Sequence, residues 1–135
     1  MTDSGEAGWP TGIDAITLFV EDLGETKAWY SAVFARRPMF EDPNSVVFDL
    51  GNTVVNLLHV SAVPELIEPA AAASRTDGSG VVFTLAVDDV DAMATELERR
   101  GARLLNGPMD RPWGIRTASF RDPDGHIWEI ARKID

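Results

Sequence analysis

Apolar and polar residues alternate along residues 13–20. Ile16, Leu18 and Val20 share one side of an extended chain, and Ala15, Thr17 and Phe19 share the other. This period-two pattern predicts a strand over 13–20. Asp22 follows as a helix N-cap, because its carboxylate can accept from the unpaired N–H groups of a first turn. The spacing then predicts a helix over 23–34. Strands are predicted over 38–41, 45–50 and 53–60, with Asp42-Pro43-Asn44 and Gly51-Asn52 as the turns between them. The same order returns further on. A strand is predicted over 81–87, a helix over 90–100 capped by Asp88 or Asp89 and stopped at Gly101, and strands over 103–105, 115–121 and 127–131.

The two halves superpose in sequence. Val20-Glu21-Asp22-Leu23 matches Val87-Asp88-Asp89-Val90, and Val54-Val55-Asn56-Leu57 matches Ile127-Trp128-Glu129-Ile130. The expected fold class is therefore α+β: two tandem βαβββ modules, 13–60 and 81–131, forming a curved mixed sheet around a cleft. Residues 1–12 read as a flexible lead-in in which Trp9 is out of character. Residues 61–80 read as a linker, rich in Pro, Ala and Ser from 63 onward, with room for one short helix. The whole of 13–135 is expected to be one domain.

Composition narrows the function. The chain has 135 residues and a net charge of -10. No basic patch is visible, which excludes a phosphate backbone as the expected partner. There is no cysteine, hence no disulfide and no thiolate chemistry. No apolar run approaches the roughly 20 residues of a membrane helix. The acidic start lacks the basic and apolar regions of a signal peptide, so a cytoplasmic location is expected.

The segment Phe120-Arg121-Asp122-Pro123-Asp124-Gly125-His126-Ile127-Trp128-Glu129-Ile130 carries the most specific signal. Pro123 presets its φ, Asp122 and Asp124 can bond nearby N–H groups, and Gly125 can take a positive φ, so the segment reads as strand, tight turn, strand. In the second strand Glu129 lies opposite Trp128 and Ile130. With the internal repeat, this run resembles the C-terminal signature of the vicinal oxygen chelate superfamily, which includes glyoxalase I, extradiol dioxygenases, fosfomycin-resistance enzymes and bleomycin-resistance proteins. The Trp29-Tyr30 pair and Val33-Phe34 resemble its first-helix pattern, while Ala35 stands where the family usually has Gly. An alanine there is expected to end the helix less tightly.

The resemblance implies four metal-ligand positions: Ala15, Asn56, Val82 and Glu129. Ala15 and Val82 have no donor atom, and Asn56 offers only an amide oxygen, which suits hard cations better than zinc, nickel or iron. His126 reads as part of the turn. His59 falls on the strand face of Val55 and Leu57, where packing against a helix or capping the sheet edge is expected. Trp29 and Tyr30 read as packing residues. No metal and no cofactor are expected.

By strand parity the cleft wall would hold Ala15, Thr17 and Phe19; Val54, Asn56 and Leu58; Val82, Thr84 and Ala86; Ile127 and Glu129. Trp113, in a loop over 106–116 with two Pro and two Gly, would flank a planar ligand by stacking or else plug an apolar gap. Arg111 and Arg116 are expected to pair with acids, an anionic ligand group being the alternative. Thr17, Phe19, Leu58 and Thr84, with Ala15, Asn56, Val82, Trp113 and Glu129, are the expected ligand contacts. The functional expectation is a metal-independent protein that sequesters a hydrophobic or aromatic small molecule, antibiotics being one such class. It is expected to act as a homodimer with the cleft completed between chains. The alternatives are a closed core around Glu129, an interaction domain, or a glyoxalase- or dioxygenase-type metalloenzyme with an atypical site at Glu129 and Asn56.

Overall fold

The computed structural model describes residues 10–135. Trp9 and most of the lead-in lie outside the described residues. The elements follow the expected order: β1 Ala15–Val20, α1 Leu23–Val33, β2 Phe40–Asp42, β3 Ser45–Asp49, β4 Val54–His59, a 3-10 turn Val60–Ala62, α2 Pro64–Ile67, β5 Val82–Ala86, α3 Val90–Arg99, β6 Leu104–Asp110, β7 Ile115–Arg121 and β8 Ile127–Lys133. Asp22 and Asp89 cap α1 and α3 by accepting from the N–H groups of Glu25 and Ala92.

The strands form two four-stranded mixed sheets, ordered β1-β4-β3-β2 and β5-β8-β7-β6. In each, the first and last strands of a module pair parallel and the rest antiparallel. The fold is α+β, built as tandem βαβββ units. One face of each sheet feeds a single buried cluster that includes Leu18, Phe48 and Leu57 from the first module and Phe120, Trp128 and Ile130 from the second. Each such side chain, once fully buried, contributes about 1.5–3 kcal/mol.

A buried polar network crosses between modules at the turn motif. Tyr30 on α1 donates its hydroxyl to Asp122 (2.6 Å) and accepts from the Trp128 indole (3.1 Å). Asp122, 2 % exposed, also accepts from the backbone N–H groups of Asp124 and His126 and bonds His126 Nδ1 at 2.7 Å. Asp124 accepts from the Glu21 N–H, the Thr26 hydroxyl and Arg75 of the linker. Every partner of these two carboxylates is a donor, which is how buried charge is tolerated. Burial, followed by the charge of Asp122, raises the Tyr30 phenol well above its ordinary value.

Three expectations change. The segment read as a loop over 106–116 is largely strand, because β6 runs on to Asp110 with register shifts against β7. Gly107 permits this: it has φ +85°, and a side-chain carbon there would overlap the Thr117 carbonyl. Ala35 adopts a left-handed conformation (φ 53°) and the Arg36 N–H reaches back to the Ser31 carbonyl, so α1 is closed off tightly in spite of the alanine, at a cost in strain. His59, at the end of β4, takes a further role. Its Nδ1 accepts from the Ser61 N–H and bonds the Ser61 hydroxyl, starting the 3-10 turn.

Candidate functional site

The faces of the sheets turned away from the core carry the candidate residues. Registered strands put laterally paired residues on one face. In the first sheet the central row is Thr17, Asn56, Val47 and Phe40. Ala15 and Val54 lie beside it on one flank, and Phe19 and Leu58 on the other. In the second sheet the equivalent row is Thr84, Glu129, Ser119 and Asn106, flanked by Val82 with Ile127 and by Ala86 with Ala131. Asn56 and Glu129 are thus positional mates at the centres of two separate sheets, each sheet turning its other face to the common core.

The two rows differ in chemistry. Glu129 is half-buried and accepts from the Thr84 hydroxyl at 2.9 Å, so one of its oxygens is engaged and the other is left for a donor. Asn56 buries its Oδ1 without a hydrogen-bond partner among the described residues. Such an orphan is uncommon in folded proteins. Ala15, Val82 and Thr84 are exposed, Thr17 and Phe19 are half-buried, and Leu58 is buried.

Trp113 sits in the β6–β7 turn, beyond the last paired residues Asp110 and Arg116, and is 68 % exposed. It plugs no gap, and its ring lies 5.9 Å from the Arg111 guanidinium. Arg111 pairs with no acid among the described residues; it donates to Thr117 Oγ1 and Asn106 Oδ1, both at 2.9 Å. Arg116 does pair with acids, Asp91 and Asp110, whose hydrogen bonds raise its pKa. His126 is taken up by the turn. Val47, Ser119 and Asn106 join the wall although parity of the outer strands alone does not point to them. Pairing β7 against Glu129 in the sequence would have found Ser119.

The residues present do not suit a transition metal. Two of the four implied positions, Ala15 and Val82, carry no donor atom, and Glu129 already bonds Thr84. Among the described residues no three His, Cys, Asp or Glu side chains are grouped as a ligand set. A transition-metal site needs at least three such protein ligands.

Comparison with known proteins places the fold in a family. The description Glyoxalase/Bleomycin resistance protein/Dioxygenase superfamily matches residues 12–130. The chain is 32% identical to the uncharacterized protein YraH of Bacillus subtilis (strain 168) over 90 residues, 65% of this chain and 70% of YraH. It is 28% identical to the metallothiol transferase FosB of Shouchella clausii (strain KSM-K16) over 123 residues, 88% of this chain and 78% of that one. A crystal structure of a glyoxalase/bleomycin resistance protein/dioxygenase from Nocardioides superposes with a TM-score of 0.85 at 22% identity, covering 97% of this chain and 88% of the other. Duplicated βαβββ modules, the Asp-Pro-Asp-Gly-His turn and the match over nearly the full length together establish that the chain belongs to the glyoxalase/bleomycin resistance protein/dioxygenase superfamily.

Proposed function

We propose that this protein binds a hydrophobic or aromatic small molecule without a metal and without transforming it, in the manner of the bleomycin-resistance branch, and acts in the cytoplasm. The observation that carries the reading is the loss of donors at Ala15 and Val82 combined with the unspent amide oxygen of Asn56. Together they make an apolar floor with isolated hydrogen-bonding points, the usual make-up of a small-molecule site. The assembly is a homodimer. The Asn56 and Glu129 rows belong to different sheets that share a core on their other faces, so one cleft containing both rows needs a second copy. Ile13, just before the edge strand β1, and Val82, at the start of the edge strand β5, are exposed and supply apolar contact for it.

The runner-up is a metalloenzyme, favoured by the similarity to FosB. Metal analysis of purified protein, with a thermal-shift screen of aromatic antibiotics, separates the two. The binding reading expects well under one equivalent of metal per chain and saturable stabilisation by a ligand. About one equivalent, lost on Glu129→Ala, would replace it with the enzyme. A monomer mass by light scattering would overturn the shared cleft.

A further inference from the structure

A cavity of about 220 Å³ opens on the core side of the sheets, where the C-terminal ends of α1 and α3 meet. Phe34, Leu50, Leu85, Val87 and Met93 line it, all apolar and all only half-buried, and they come from both modules. Half-buried apolar side chains gathered in one concavity leave carbon surface in water that a ligand would remove. An apolar cavity of about 150 Å³ is enough to take up benzene, so this one admits a ring with a short substituent.

The rim is cationic. Arg36 and Arg100 line the cavity. Two arginines of a chain with net charge -10 therefore lie at one mouth. Arg100 donates Nε to Glu96 (2.8 Å) and Nη1 to the Val33 carbonyl (3.1 Å), which fixes its plane and leaves Nη2 without a bond among the described residues. The Val33 contact offsets the negative end of α1 and accounts for Arg100 in part; it does not account for Arg36. Glu96 and Glu98 are the nearby acids of α3. Glu96 is committed to Arg99 and Arg100, whose hydrogen bonds hold its pKa at about 2. The strained Ala35 lies between Phe34, which faces the cavity, and Arg36 at its rim. Strain of this kind persists where surrounding structure enforces it, often at a ligand clamp.

We propose that this cavity is a second ligand site, for an amphipathic carboxylate: an aryl or short acyl group in the apolar floor, its carboxylate held by Arg36 and Arg100. The site is separate from the outward rows of Asn56 and Glu129 and stands whether or not those bind anything. The test is calorimetric titration of the full chain with 3-phenylpropionate, its neutral amide and 3-phenylpropylamine. Saturable binding of the carboxylate is expected, at least tenfold weaker for the amide and the amine. Arg36→Glu, at an exposed position, should weaken the carboxylate at least tenfold. Met93→Trp should abolish binding by filling the floor, and Glu129→Gln should leave it unchanged. Equal binding of all three compounds, no saturable binding, or loss of binding in Glu129→Gln alone would overturn the proposal. So would dissociation of an oligomer by Arg36→Glu, which would give the face to a second copy of the chain instead.

Discussion

The two modules share one topology and differ in what they show to the outside. Across the first sheet the central row reads Thr17, Asn56, Val47, Phe40; across the second it reads Thr84, Glu129, Ser119, Asn106. One is half apolar, with one hydroxyl and one amide; the other is polar at every position. Their helices diverge as well. α1 buries Thr26, Tyr30 and Val33 and sends Thr26 and Tyr30 across to the turn of the second module, whereas α3 buries Val90, Ala94 and Leu97 and commits Asp91 and Glu96 to arginines. One backbone plan thus carries two different outward walls, and the latch that joins the halves draws its hydroxyls from the first and its carboxylates from the second.

The largest expected effect comes from breaking the latch. Asp122→Ala removes the acceptor of Tyr30, His126 and two backbone N–H groups at once. Leaving such donors buried and unpaired should cost about 3 kcal/mol or more, read as a lower urea midpoint. A loss under about 1 kcal/mol would mean that the modules hold together without the turn.

The same latch should respond to alkali. The folded phenol of Tyr30 titrates above its ordinary value of 10.0, so its neutral form is favoured in the native state. Its contribution is complete below the unfolded pKa and declines as pH rises past that value toward the folded one. Tyr30→Phe should flatten this part of the stability curve, and parallel curves for the two proteins would rule the phenol out.

Filling the apolar wall sharpens the contrast from the other side. Ala15 is exposed on the outward face, so Ala15→Phe should abolish ligand-induced stabilisation while the apo melting temperature stays nearly unchanged. A large fall in apo melting temperature would indicate a packed site instead. The smallest effect is expected at Ala35, where φ is 53°. Ala35→Gly should relieve the left-handed strain and raise stability by about 1 kcal/mol, measured by the same urea titration.

Much of this was legible in the chain. The caps at Asp22 and Asp89 are local signals, and the faces of β1, β4, β5 and β8 follow from period-two parity, which pairing preserves. The extent of β6 was not legible, because Gly107 and Pro108 look like breakers until the close crossing over Thr117 is seen. The partners of Arg111 were not legible either, because nothing local says that Asn106 and Thr117 will flank it. The bond between Tyr30 and Asp122 joins residues far apart in sequence, and no periodicity encodes it. Parity assigns a residue to a face; it does not say which sheet that face will meet.

Residues 68–80 are exposed throughout and are held by Arg75, whose N–H reaches Glu21 and whose guanidinium reaches Asp124 and Glu25. The length of such a connection matters little: doubling it costs only about 0.6 kcal/mol in closure entropy. It therefore has scant say in whether a first half docks on its own second half or on that of another copy, the exchange known as domain swapping. That decision falls to the docking surfaces themselves, so insertions between the halves should be well tolerated while single changes at Asp122 or Tyr30 are not.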